Sequence, residues 1–131
     1  MREKEVAGLR VVIIENTAEN LERLANIIRE IEPNARVTGF TDGEKALKWC
    51  TENAFSVDVF IGNWWGTEEA ATSPEGANVY KLVRWYKKPA KILIADEPMF
   101  EKWSYQDGAI GFIRRPATME KVQEIFRRLP K

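Results

Sequence analysis

The polar residues best suited to chemistry come directly after short apolar runs. They are Glu15 and Asn16, Asn63, Asp96 and Glu97, and Arg114 and Arg115. Carboxylate oxygens are the ligands that Mg²⁺ prefers, a carboxylate can attack phosphorus to form an acyl phosphate, and guanidinium groups bind anions. If the apolar runs are strands of one parallel sheet, these side chains meet beyond its carboxyl ends, where ligands of open α/β sheets bind.

Several residue types that catalysis usually needs are missing. The sequence contains no histidine, so the commonest general base and transition-metal ligand are absent. It also has no phosphate-cradling glycine loop and no clear nucleophile. We therefore predict that the chain is not an enzyme and uses no cofactor or metal. The single cysteine, Cys50, allows no internal disulfide and favours a reducing compartment, which we expect to be the cytoplasm.

Composition limits the architecture and the partners. The 131 residues are 44% hydrophobic and 31% charged, with a net charge of zero. This length and balance predict a single domain over residues 1–131 with a real core. A neutral chain lacks the basic surface that nucleic acids select. No apolar run approaches the roughly 20 residues that a membrane span requires, so we expect neither nucleic-acid nor membrane binding.

Strand-like and helix-like patterns alternate five times. The predicted strands cover residues 9–14, 36–40, 57–61, 91–95 and 110–113, and those at 9–14 and 57–61 are nearly all apolar, as is typical of strands buried on both faces. The helical patterns between and after them run over Leu21–Ile31, around Ala46–Cys50, over Val79–Tyr86, from Pro98 to Gly108, and over Met119–Leu129. This alternation predicts a doubly wound α/β fold, with a parallel sheet covered on both faces.

Turn residues predict where the helices begin. Asn16 with Glu19, and Thr41 with Glu44, have the spacing of helix N-caps and capping boxes. Pro116 to Thr118 is predicted to open the last helix.

Four segments together resemble the receiver domain of two-component response regulators. They are VVIIEN at residues 11–16, TDGEKAL at 41–47, VDVFIGN at 57–63 and GAIGFIRRP at 108–116. Each segment is short, but their order and spacing cover nearly the whole chain. The resemblance implies a flavodoxin-like sheet of five parallel strands in the order 2-1-3-4-5 flanked by five helices. In that family a partner kinase phosphorylates an aspartate beside a magnesium ion that nearby acids hold.

The resemblance also implies which residues stand at the family's phosphorylation site. The acidic pair after the first strand corresponds to Glu15 and Asn16, and the acceptor aspartate to Asn63. The hydroxyl residue after the fourth strand corresponds to Ala95, and the lysine after the fifth to Arg115. The aromatic residue that switches on phosphorylation corresponds to Phe112.

These replacements predict a site that cannot take a phosphate. The amide of Asn63 is a poor nucleophile and cannot form an acyl phosphate. The opposite charges of Glu15 and Arg115 cancel, so no net negative charge remains to hold magnesium. Ala95 cannot hydrogen-bond a phosphoryl oxygen. Among other acids, Asp58 is predicted at the opposite end of the sheet, whereas Asp96 is closer and is the rival acceptor.

Structural explanations compete with functional ones for several residues. Glu15 and Arg115 are more simply an ion pair tying the first strand to the last. Asn63 has the type of a loop cap, and Phe112 that of a core residue. The aromatic residues that could instead form a partner surface are Trp64, Trp65, Trp103, Tyr105 and Phe112.

The sequence leaves three functions open. The first is a pseudo-receiver that binds a histidine kinase, another receiver, an output domain or a second copy through the face made by the fourth helix, fifth strand and fifth helix. The second is a sensor of small ligands in a crevice lined by Trp64, Trp65 and Arg115. The third is a conventional phosphorelay receiver with Asp96 as a displaced acceptor.

Overall fold

A computed structural model describes residues 8–53, 56–62, 89–106 and 108–129 of the chain. In chain order the elements are β1 Arg10–Ile14, α1 Ala18–Ile31, β2 Arg36–Phe40, α2 Gly43–Glu52, β3 Val59–Gly62, β4 Ala90–Ala95, α3 Phe100–Gln106, β5 Gly111–Arg114 and α4 Met119–Phe126. The five strands form one parallel sheet in the order β2-β1-β3-β4-β5. The predicted fold and strand order are confirmed. The helix predicted over residues 79–86 lies outside the described residues.

The central strands bury side chains on both faces, as their apolar sequences predict. Val11 and Ile13 of β1 belong to a core cluster that packs against α1 and α4. Val12, between them, belongs to a second cluster that includes Cys50 of α2 and Phe112 of β5. Because side chains alternate along a strand, one short apolar run supplies both clusters.

Helix starts differ by one residue from two of the predictions. The N-cap of α1 is Thr17, not Asn16, and its hydroxyl accepts a hydrogen bond from the backbone N–H of Asn20 at 3.1 Å. The N-cap of α2 is Asp42, not Thr41, and its carboxylate accepts from the backbone amide of Glu44 at 2.8 Å. Both errors arose where two cap-competent residues are adjacent, since spacing alone does not choose between them. The last helix, predicted to open over Pro116 to Thr118, begins at Met119 and has Thr118 as its N-cap.

Two glycines are required for different reasons, Gly108 by its backbone conformation and Gly111 by the space around it. Gly108, after α3, has a φ of +92°, which agrees with its predicted role at the end of that helix. Gly111 opens β5, and a Cβ there would lie 2.6 Å from the nearest carbon of Ile125. The absence of a side chain therefore lets α4 pack closely on the sheet.

No helix in the described part of the chain has the length and apolarity needed to cross a membrane.

The Cys50 thiol lies in the second core cluster and is 1% exposed. Burial disfavours the thiolate and raises the pKa of Cys50 from 9.0 to about 11. The thiol is therefore a neutral core group at physiological pH.

We predict that Cys50 makes folding stability fall between about pH 9 and about pH 11. The unfolded thiol loses its proton above pH 9.0, whereas the native thiol keeps it until about pH 11. Unfolding then releases a proton, and stability drops by about 1 kcal/mol per pH unit in this window. Urea denaturation of wild type and Cys50→Ala from pH 8 to 10.5 measures the difference. Parallel stability curves for the two proteins would contradict the prediction.

Candidate functional site

The candidate site lies at the carboxyl end of the sheet. Glu15 follows β1, Ala95 ends β4, and Arg115 follows β5. The sheet register places Ile14 beside Gly62, the last residue of β3. Asn63, the predicted acceptor position, comes next and lies outside the described residues, as do Trp64 and Trp65.

Glu15 is a buried acid held by the sheet itself. Its backbone N–H donates to the Phe40 carbonyl at 2.9 Å, which continues the β1–β2 ladder. Its side chain is 1% exposed. The carboxylate accepts hydrogen bonds from the backbone N–H of Asn16 at 2.9 Å and from Arg115. A carboxylate so far from water requires such hydrogen-bond partners to offset the hydration that it loses on burial.

Arg115 is the partner of that acid, as the structural interpretation of the sequence predicted. Its Nε lies 3.0 Å and 3.2 Å from the two oxygens of Glu15, and its Nη2 lies 2.5 Å from Oε1. The arginine side chain is 9% exposed. Its backbone N–H donates to the Ala95 carbonyl at 2.9 Å, so β4 fixes the point from which the side chain extends.

The pair reaches across the sheet. In the strand order, β3 and β4 lie between β1 and β5. The Glu15 and Arg115 side chains therefore meet across the carboxyl ends of the two central strands, which is where the crevice of an open α/β sheet lies. The structure thus puts a neutral, mutually satisfied ion pair where the sequence left a ligand site possible.

Asp96 provides a second and weaker contact to the same arginine. One of its carboxylate oxygens lies 3.5 Å from Nη1 of Arg115, and its side chain is 66% exposed. Arg114 donates from Nε to the Asp96 carbonyl at 3.2 Å. The two negative charges of Glu15 and Asp96 thus equal the two positive charges of Arg114 and Arg115. Sequence reasoning placed Asp96 near the crevice but missed its contacts with both arginines.

The remaining described positions offer little to a phosphate or a metal. Ala95 is fully buried and has no polar side-chain atom. The side chain of Asn16 accepts a hydrogen bond from Asn20 at 2.8 Å, and that of Glu15 is occupied by Arg115. Within the described ranges, no group of three or more acids or cysteines is gathered as metal ligands are. These donors do not fit a magnesium ion, which needs free carboxylate oxygens.

The predicted partner surface is seen only in part. Phe112 is 4% exposed and belongs to the second core cluster, so it contributes little to an exposed partner surface. Tyr105 of α3 is 42% exposed. Met99, in the turn directly before the same helix, is 61% exposed and was missed, although its position after Pro98 could have suggested it. The side chain of Trp103 lies outside the described part of the structure.

The opposite end of the sheet holds a second ion pair. Arg10 donates from Nε and Nη2 to the two carboxylate oxygens of Asp58, each at 3.2 Å. Both side chains are partly exposed, at 43% and 32%. This confirms that Asp58 is remote from the carboxyl end and cannot replace an acceptor there.

Comparison with known proteins finds solved structures that share the fold of this chain. No family model and no curated protein matches the sequence. A response regulator receiver domain protein from Clostridium thermocellum superposes with a TM-score of 0.70 at 16% identity, over 92% of this chain and 93% of its own. The response regulatory domain of mrkE from Klebsiella pneumoniae gives 0.71 at 18% identity, over 92% and 94%. Chemotaxis protein CheY4 from Vibrio cholerae gives 0.69 at 19% identity, over 93% and 98%.

The chain has the receiver-domain fold of two-component response regulators. These likenesses cover nearly the full length of both chains in each comparison, so the fold applies to the unit as a whole. At such identities they establish the fold alone, and what the site does is argued from its own residues.

We predict that the buried pair is essential for stability. Glu15→Gln leaves the buried Arg115 cation with only the exposed Asp96, and we expect a loss of about 3–5 kcal/mol in the free energy of unfolding. The joint replacement Glu15→Leu with Arg115→Met removes both charges and should restore most of that loss. Urea denaturation midpoints measure each variant.

The matched control is Asp58→Asn, an acid-to-amide change at the exposed pair. It should cost about 1 kcal/mol or less. Equal losses for Glu15→Gln and Asp58→Asn would show that the buried pair has no special weight.

Proposed function

We propose that this receiver-like domain acts in two-component signalling as a protein-interaction module that works without phosphorylation. The observation that supports this most strongly is the buried Glu15–Arg115 pair across the carboxyl end of the sheet. In a phosphorylated receiver, this end must keep negative charge available for a metal and admit a phosphoryl group. Here the charge is already neutralised inside the protein. The proposal includes a cytoplasmic location and no enzymatic activity.

The chemistry of the neighbouring positions supports the same conclusion. Asn63 carries an amide where an acyl phosphate requires a carboxylate. Ala95 has no hydroxyl to hold a phosphoryl oxygen. Restoring a working site would thus require changes at several positions together.

Phosphorylation of Asp96 is the alternative that this proposal must exclude. Its carboxylate is close enough to the site to contact Arg115, but it is mostly in solvent. Glu15, the nearby acid that could share a metal with it, is hydrogen-bonded to Arg115 through both oxygens. Asp96 therefore lacks the cation-binding partner that an acyl phosphate in this family uses.

We predict that the protein does not incorporate phosphate from acetyl phosphate and magnesium. Phosphate-affinity electrophoresis and intact-mass measurement should show less than a few per cent of an 80 Da adduct, roughly the mass of one phosphoryl group. A receiver with an intact acceptor aspartate, treated in parallel, shows that the reagent works. Magnesium-dependent labelling that disappears in Asp96→Ala would overturn the proposal in favour of a conventional receiver.

The surface formed by α3, β5 and α4 is the proposed contact face. Met99, directly before α3, and Tyr105 within it are exposed, and such side chains are enriched at the centres of protein interfaces. The proposed partners are a histidine kinase, another receiver, an output domain or a second copy of this chain.

We predict that Met99→Ser with Tyr105→Ser weakens association at least tenfold. Sedimentation velocity from 1 to 100 µM measures self-association, and a pull-down with candidate kinases and receivers measures partner binding. Arg23→Ser with Asn26→Ser, on the exposed side of α1, is the control and should change neither. A strict monomer that retains none of these proteins would contradict the proposed function.

A further inference from the structure

A cavity of about 300 Å³ lies near the amino end of the sheet, remote from the Glu15–Arg115 pair. It is bordered by the first residues of β1 and β2, by the last turn of α2, and by the segment that leads into β3. Its polar and aromatic lining residues are Arg10, Arg36, Thr38, Trp49, Asn53 and Ser56. The volume is at the lower end of the range for small-molecule sites.

The strand register brings two arginines together on this cavity. Arg10 and Arg36 are direct partners in the parallel β1–β2 ladder. Like charges directly opposite each other on neighbouring strands destabilise a sheet. On the other side of Arg10 stands Asp58, whose carboxylate accepts hydrogen bonds from the Arg10 guanidinium and raises the pKa of Arg10.

The two guanidiniums are not equally satisfied. Among the ion pairs of the described residues, Asp58 is matched to Arg10 and no acid is matched to Arg36. The row Arg36, Arg10 and Asp58 therefore carries one excess positive charge. A bound anion that contacts Arg36 would neutralise it and relieve the repulsion between the two arginines.

The rest of the lining indicates what kind of anion fits. Trp49 and the buried Val11 and Val12 supply apolar surface, while Thr38 and Ser56 carry hydroxyl groups. One excess charge matches one carboxylate better than a nucleoside phosphate, which carries about two charges at neutral pH. The volume suits a compound of one or two rings.

We propose that this cavity binds a small aromatic monocarboxylate, with the carboxylate on Arg36 and the ring against Trp49. The site is independent of the proposed interaction function, since it shares no residue with the carboxyl end of the sheet or with the α3–β5–α4 face.

The experiment titrates ¹⁵N-labelled protein with indole-3-acetate and follows backbone and indole resonances by NMR. We expect saturable shifts at Arg36, Thr38 and Trp49, with a dissociation constant of about 1 mM or tighter for a ligand of this size. Indole-3-acetamide tests the need for the charge and should bind at least tenfold more weakly. Adenosine monophosphate tests the alternative of a nucleotide.

Two variants probe the site. Arg36→Gln should weaken binding of indole-3-acetate at least tenfold, and Arg23→Gln, an exposed arginine of α1, should leave it unchanged. Arg36 is itself exposed, so its replacement should leave the fold intact, and Thr38→Val offers a second change inside the cavity. The proposal is overturned by no shifts up to 10 mM ligand, by equal affinity for the amide, by stronger binding of the nucleotide, by shifts centred on Glu15 and Arg115, or by undiminished binding in Arg36→Gln.

Discussion

The structure of the carboxyl end depends on one buried ion pair. Removing Glu15 and Arg115 from water costs several kcal/mol for each ion, and only close, well-oriented contacts offset that cost. Orientation here comes from the backbone. The amide of Glu15 is hydrogen-bonded to β2 and that of Arg115 to β4, so both side chains extend from fixed points. A rigid sheet on each side is therefore the condition for the pair to form.

This arrangement changes what the receiver fold can do. In a phosphorylated receiver, the carboxyl end of the sheet must be strongly negative before the metal binds. It must also change when the phosphoryl group is added. In the proposed function, a neutral pair across the same end gives no such response, because Glu15 and Arg115 already satisfy each other's charge. On the proposed function, the fold then supplies a stable scaffold, and information is carried by the surfaces it displays.

The sequence predicted the parts of the molecule that local patterns determine. Strand-like segments predicted all five strands, and the nearly continuous apolar sequences of β1 and β3 also predicted that these two are buried on both faces. The opposite charges of Glu15 and Arg115, together with their places after β1 and β5, were enough to predict their pairing. The contact of Asp96 with Arg115 was not predictable in this way, because it depends on side-chain directions that spacing does not give. The caps at Thr17 and Asp42 failed for a similar reason, since Asn16 and Thr41 compete on equal terms in sequence.

Arg10 and Arg36 are neighbours in the strand register, which composition alone does not reveal. In the sequence they are two of many arginines in a chain with no net charge. The parallel register of β1 and β2 makes them neighbours, and Asp58, which directly precedes β3, lies on the other side of Arg10. A neutral chain thereby acquires a local excess of positive charge beside a cavity. β1 links this end to the other, since Arg10 and Glu15 lie five residues apart, about 16 Å along one strand. β1 thus positions a mutually satisfied pair at its carboxyl end, and at its amino end it places the Arg10–Asp58 pair beside Arg36 of β2, for which we propose an anionic ligand.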